Sequence, residues 1–384
     1  MNSHEPDIVY FNMRITGDSS NIPSIASYQT LSQTNPVVNN PSKYYVAVTD
    51  FSCPGESIPL TIARVVPNQN KSNLMQSKIA FSIMGAGGAK YEQNLIFIPS
   101  TNIPAPVQNR PYQVITPYYF VYSYQSIITS LNNALKAAYD ALVAAEAAFG
   151  GLDYPYFYIS YDQDFPKIHL MIPKTVLTQM TVGRDVRISI NSYLVNYLGG
   201  FDYFYNGNND SRLLDFVFNI PALDNGAAPN PNNTAYLYYP IFCDKIGFAD
   251  ENGDWVKFSQ QNYLLPQWNC LSKIIIYTQS LPIRNQQVTS KQTDSPDVLN
   301  KYPILFSFTP NYETSSQARN YIYYTPRENY TLTELLSNTP LTRLDAYIAW
   351  VDHNGEVFPL YLNPFQSCNI QLGFFKKELY KSIK

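Results

Sequence analysis

The chain has 384 residues and a net charge of −3, from 26 Lys and Arg against 29 Asp and Glu. Charged residues make up 14%, below the roughly 25% of an average domain, while aromatics reach 15% with 33 Tyr and 21 Phe. That length implies two domains, or one all-β domain with a large insertion. The charge balance excludes a chain that is basic throughout and binds nucleic acid strongly, and low charge with abundant Tyr points to surface covered by other subunits.

The N-terminal segment carries Glu5, Asp7 and Asp18 against Arg14 alone, so it is no basic packaging arm. Residues 16–42 are rich in Ser, Asn, Thr, Gln and Pro. Residues 1–42 together read as an extended arm, mobile in a free subunit, with Ile8, Val9, Phe11 and Ile15 as apolar anchors on a neighbour. Lys43–Pro54 (KYYVAVTDFSCP) alternates as a strand, and further strands are expected at Thr61–Val66, Lys78–Met84 and Asn94–Ile98. The glycine-rich Gly85–Lys90 lacks the GxxxxGK[ST] spacing of a phosphate loop and reads as a turn.

Next comes one long helix, in which Ile127, Leu131, Leu135, Ala138 and Leu142 form a single apolar stripe, ended by Gly150-Gly151. A hairpin is expected around Asp162-Gln163-Asp164, and a short helix at Ser192–Leu198 closed by Gly199-Gly200. FDYFYNGNNDS and LDNGAAPNPNN read as loops, with short aromatic strands at Phe216–Ile220 and Ala235–Phe242. From Trp255 the pattern is β again: Val256–Gln260, Leu271–Thr278, PILFSFTP and NYIYYTP. In RLDAYIAWVDHNGEVFPLYL, Leu344, Ala346, Ile348 and Trp350 share one strand face, which makes Trp350 a core residue. Asp352-His353-Asn354-Gly355 is the turn, with Asn-Gly supplying positive φ, and Val357, Phe358, Leu360 and Leu362 return around Pro359. In SCNIQLGFFKK, Cys368, Ile370, Leu372 and Phe374 fall on one face. Both ends together supply about eight strands, the number of a sandwich.

Little in the chain offers chemistry. His4, His169 and His353 are the only histidines; His4 lies near the terminus, His169 inside a strand and His353 in an exposed turn. No HExxH, GxSxG or Cys–His signature occurs. DENGDW (Asp250–Trp255) lacks the glycine and glutamate of a calcium loop and reads as a hairpin turn. Carboxylate pairs for glycoside hydrolysis among the 29 acidic residues carry only a weak signal. Cys53, Cys243, Cys270 and Cys368 have no CxxC spacing and read as buried free thiols rather than zinc ligands or a disulfide framework. We therefore expect no catalytic, cofactor-binding or metal residues. There is no signal peptide and no apolar run of about 18 residues, so a soluble protein made in a cytosol is expected. The tail KKELYKSIK, with Lys376, Lys377, Lys381 and Lys384 around Glu378, reads as a solvated end.

The order of the C-terminal strands carries a resemblance. Tyr323, Tyr324, Thr325, Pro326, Pro340, Leu341, Asp345, Trp350, Asp352, Gly355, Pro359, Leu360, Gln366 and Phe374 fall in a pattern that resembles the penton (vertex minor capsid) proteins of virophages and polinton-like viruses, Sputnik-like virophages above all. KYYVAVTDFSCP, SIPLTIARVVPNQN, YFVYSYQSIITSLNNAL and WNCLSKIIIYTQSLPI look similar too, whereas the stretch from about 178 to 233 has no anchor. The resemblance implies an all-β single jelly-roll β-sandwich with a large α+β insertion domain. Residues 1–42 would be the arm, 43–84 and 255–384 the jelly roll, and 85–254 the inserted outer domain. It also implies a homopentamer at each icosahedral vertex, a double jelly-roll major capsid protein as neighbour, and an outward insertion that can meet a host or helper-virus surface. No catalytic residue is carried over, and nothing implies a membrane span. A jelly-roll carbohydrate- or receptor-binding module is the alternative, with the loops FDYFYNGNND and AYLYYP stacking on sugars; a sandwich glycosidase is a distant third.

Overall fold

In the computed structural model of the chain, the described residues are 6–19, 22–30, 34–66, 73–83, 90–100, 102–105, 117–145, 157–162, 167–173, 186–201, 203–205, 216–218, 243–250, 253–260, 269–284, 303–310, 321–326 and 330–383. The N-terminal part contributes β1 (Ile8–Thr16), β2 (Ser24–Ile25), β3 (Ser27–Gln29), β4 (Tyr44–Pro54) and β5 (Thr61–Ile62). The middle holds β6 (Leu74–Ile83), β7 (Lys90–Ile96), β8 (Phe120–Val121), the helix α1 (Tyr124–Ala145), β9 (Tyr158–Asp162), β10 (Lys167–Pro173) and β11 (Val186–Ile190). A short helix, Ser192–Leu198, precedes β12 (Tyr203–Tyr205), β13 (Phe216–Phe218), β14 (Cys243–Asp250) and β15 (Gly253–Ser259). The C-terminal third adds β16 (Leu271–Tyr277), β17 (Ile304–Phe308), β18 (Tyr321–Tyr324), β19 (Thr333–Glu334), β20 (Asp345–Asp352), β21 (Val357–Pro359), β22 (Tyr361–Leu362) and β23 (Ser367–Lys376).

Two sheets face each other across one core. The first runs β1-β23-β4-β18 and the second β17-β16-β20-β21, with β3 also on β20. All these pairings are antiparallel. Met13, Ile15, Val46, Val48, Phe51, Cys53, Cys368, Ile370, Leu372 and Phe374 of the first sheet pack against Ile274, Ile276, Ile348, Trp350 and Phe358 of the second. Along β4 the inward set changes parity, from Val46 and Val48 to Phe51 and Cys53. A register shift opposite Gln371 and Leu372 explains this: the partners jump from Asp50 to Val48, leaving Thr49 as the extra residue of a bulge. Without it, a side-chain period of two would turn Phe51 and Cys53 outward.

A second core lies among β6, β7, β9, β10, β11 and α1. The stripe Ile127, Leu131, Leu135, Ala138 and Leu142 is buried there against Ile79, Phe81, Leu95, Phe157, Ile168 and Ile188. Its sheets run β12-β13-β11-β6-β7 and β14-β15-β10-β9. The two bodies join where β5 pairs with β8, next to a hydrogen bond of 2.7 Å from the Leu60 N–H to the Val121 carbonyl. In β8 the Phe120 ring enters the sandwich core, 5.8 Å from Trp350 and 6.1 Å from Phe358.

Several expectations need correction. The proposed arm over 1–42 is not free of the sandwich: β1 pairs along its whole length with β23 and buries Met13 and Ile15, while β2 and β3 cross to β22 and β20 of the facing strands. The alternation of β1, with exposed residues between the apolar ones, is that of an edge strand; the polar composition of residues 16–42 masks it. The boundary at 84 is too late, because β6 pairs with β7 and β11 in the second body. The boundary at 255 is too early, because β15 pairs with β10 and β14 there. The hairpin turn at 352–355 carries positive φ at Gly355 alone, at +83°. The Gly355 N–H donates to the Asp352 carbonyl and the Asp352 N–H to that of Glu356, the pattern of a three-residue turn with a glycine bulge. The tail is only partly solvated: Lys376 pairs with Asp7 at 3.3 Å, and Lys377 with Glu334. The expected strand at 235–242 and the glycines at 150–151 lie wholly outside the described residues.

Candidate assembly surface

The two described histidines, His169 and His353, form no common site. His169 is buried on β10 with its Nδ1 2.7 Å from the Ser259 hydroxyl. His353 is exposed in the hairpin turn, and its Nε2 lies 2.9 Å from the Asn269 carbonyl, which it can only reach as a donor. His4 lies outside the described residues. Among the described residues no group of three His, Cys, Asp or Glu is placed to hold a metal ion, and no helix is long and apolar enough to cross a membrane.

Buried polar groups here organise turns. One oxygen of Asp345 accepts from the Thr278 hydroxyl at 2.6 Å, the Gln279 N–H at 2.9 Å, and the Ser280 N–H and hydroxyl at 2.9 and 2.8 Å. Asp352 accepts from the N–H groups of Asn354 and Glu356, both at 2.8 Å, and so shapes the hairpin tip. Arg64 approaches that tip from the second body, 3.3 Å from Glu356 and 3.9 Å from Asp352. Cys53 and Cys368 are buried free thiols. A hydrogen bond from the Cys368 thiol to the Cys53 sulfur, and then burial, push the Cys368 thiol well above the ordinary range.

The outer surface carries the features that a partner would meet. Phe365 is 81% exposed and holds φ at +67°, the sole non-glycine with positive φ among the described residues. A bulky side chain in that region is an outlier, costing about 1–3 kcal/mol and persisting only where its surroundings impose it. The imposing group is Gln366. Its N–H donates to the Asn363 carbonyl and its carbonyl accepts from Gly17 N–H at 2.8 Å. Its side-chain Oε1 accepts from Asn363 N–H at 3.1 Å and the Ser57 hydroxyl at 2.8 Å. A Cβ on Gly17 would fall 2.3 Å from the Asn363 carbonyl oxygen, so only glycine lets the two segments close. On the edge strand β18, Tyr321 and Tyr323 are exposed, opposite Pro54 and Ser52 at the end of β4 that leads to Ser57. The other end of the first sheet holds a second aromatic group. Phe375 meets Tyr10, Tyr330 and Tyr380 at ring distances of 6.2, 5.2 and 6.3 Å. Its ring occupies the space a Cβ on Gly373 would need, 2.7 Å away.

The sequence model of the Sputnik minor capsid protein V18/19 family matches residues 9–376. The chain belongs to that family. Within it, the chain is 36% identical over 165 residues to the uncharacterized protein V18 of Sputnik virophage, covering 40% of this chain and 93% of V18. It is 24% identical over 223 residues to the structural protein V19 of the same virophage, covering 58% of this chain and 95% of V19. In fold it is similar to one chain of the Sputnik virophage structure determined by cryo-EM, with a TM-score of 0.75 and 24% identity, covering 98% of this chain and 100% of that one. A crystal structure of the mavirus penton protein superposes with a TM-score of 0.57 and 12% identity, covering 96% and 99%. The resemblance read from the C-terminal strands therefore holds, and the chain is a minor capsid protein of the virophage type. Several residues that carried the resemblance now have physical roles: Asp345 and Asp352 as turn anchors, Gly355 at positive φ, Gln366 as the clamp and Trp350 in the core. Sequence reasoning misses Phe365. Asn363-Pro364 is a turn signal, but nothing in the sequence marks the sign of φ one residue on.

Proposed function

We propose that this chain is a penton: five copies close an icosahedral vertex of a virion and contact the neighbouring major capsid protein. The observation that carries the reading is a fold likeness to the mavirus penton protein along nearly the whole chain. In this reading the sandwich is a single jelly roll made from about 6–60 and 271–376, and the stretch from about 61 to 260 is an inserted outer body. A five-membered ring needs two different patches on each copy that meet with a closing rotation. The exposed rings of Phe365, Tyr321 and Tyr323 are aromatic side chains of the kind that anchors interfaces. The role is structural, without catalysis. The protein would reside in the capsid after synthesis in the host cytoplasm, with no strong hold on the genome. The test is the mass of the purified chain by native mass spectrometry and its position in particle images. A five-fold assembly at vertices is expected. A monomer that binds glycans and is absent from vertices would instead favour the carbohydrate- or receptor-binding module.

A further inference from the structure

Cys53 is the penultimate residue of β4 and Cys368 the second residue of β23. The ladder between those strands pairs Ile370 with Phe51 and Asn369 with Ser52, which puts Cys368 opposite Cys53 at the next step of the same register. Both side chains face the same core and are fully buried. Directly opposed residues in an antiparallel pair have Cα atoms about 4.5–5.5 Å apart, within the roughly 4.4–6.8 Å that a disulfide bridges. Both thiols are free. Cys270 stands apart from them, with its sulfur 3.1 Å from the Pro59 carbonyl.

We propose that Cys53 and Cys368 are a covalent cross-link site, joined as an intrachain disulfide when the folded chain meets a small-molecule disulfide oxidant. The thiolate of one cysteine attacks a sulfur of the oxidant, forms a mixed disulfide and expels one thiol. The thiolate of the other cysteine then attacks the mixed disulfide at the protein sulfur and expels the second thiol. Two protons and two electrons leave the cysteine pair, one S–S bond forms in the protein, and the oxidant's S–S bond breaks to give two thiols. The buried thiols hold little thiolate, so the closed chain reacts slowly. The pair lies at the end of the β4–β23 ladder, but each cysteine is also paired on its other side, Cys53 with Ile322 and Cys368 with Ile15, so the oxidant reaches it only when this end of the sheet opens. The bond would tie the N-terminal strands to the C-terminal one and enclose the second body in the loop, a large restriction on the unfolded chain.

The experiment incubates the reduced full-length chain with oxidised glutathione, alkylates the remaining thiols under denaturing conditions, and maps a non-reducing digest by mass spectrometry. The expected product is the Cys53 peptide joined to the Cys368 peptide, lighter than the two together by two hydrogens. A melting temperature raised by several degrees and restored by a reductant should accompany it. Recovery of both cysteines alkylated, as separate glutathione adducts, or joined to other cysteines overturns the proposal. Cys53→Ser and Cys368→Ser should each abolish the linked peptide, and the map of the unaltered chain decides the matter if either variant fails to fold.

Discussion

Ser280 donates both its backbone N–H and its hydroxyl to one carboxylate oxygen of Asp345, at 2.9 and 2.8 Å. The Asp345 N–H donates in return to the Ser280 hydroxyl oxygen at 3.0 Å. With the bonds from Thr278 and Gln279, this carboxylate fixes the exit of β16 against the start of β20. Asp345→Ala leaves the buried Thr278 hydroxyl and the half-buried Ser280 donors without their acceptor and should cost about 2–4 kcal/mol. Asp345→Asn keeps an accepting oxygen and should cost less. Urea denaturation of the two variants checks the order.

Trp350 is fully buried, with its ring 4.5 Å from Phe358. Trp350→Ala should destabilise the chain by about 3–5 kcal/mol. Its indole Nε1 has no hydrogen-bond acceptor. Trp350→Phe therefore removes volume and an unmet donor together, and its loss should be well under half that of the alanine variant. Equal losses in thermal melts would mean that the phenylalanine ring restores none of the lost packing.

Removal of residues 1–16 takes out β1 with Met13 and Ile15 and uncovers the edge of β23. Two buried side chains at about 1.5–3 kcal/mol each make this a loss of several kcal/mol in the subunit itself. A truncated chain with an unchanged melting temperature would contradict the placement of β1 and restore the reading as a free arm.

Phe365→Gly should leave the lone subunit as stable as before, or more stable by up to about 1 kcal/mol, because the turn no longer forces a bulky residue to positive φ. Under the penton reading the same change should weaken assembly. Differential scanning calorimetry reads the first effect and sedimentation velocity the second. Assembly that survives unchanged would remove Phe365 from the contact.

His353→Ala should cost no more than about 1 kcal/mol, the worth of one exposed hydrogen bond to Asn269. Assembly should not change. A larger effect in either measurement would give this corner a role that its single hydrogen bond does not explain.

Periodicity reveals which side of a strand is apolar, and it does so well for β20, β23 and the stripe of α1. It does not reveal which sheet a strand joins, since β6 and β15 alternate alike whether they enter one body or the other. That is why the boundaries between the bodies differ from those expected. The bulge at Thr49 defeats a simple alternation because parity changes within one strand. The contact surface is least legible. The exposure and strain of Phe365 depend on bonds that reach Gln366 from Ser57 and Gly17, far away in sequence, and no local pattern encodes them.

β4 lies in its sheet between β23 and β18, both from the far end of the chain. A ribosome adds about 5–20 residues per second. β4 therefore emerges on the order of 15–60 s before β23, which begins roughly three hundred residues later. Throughout that interval the apolar faces of β1 and β4 have no sheet to complete, whereas β6 to β15 can pair among themselves as they appear. The nascent chain thus holds a finished middle between two unfinished ends. The period before release from the ribosome is when this protein is most exposed to aggregation and most dependent on chaperones.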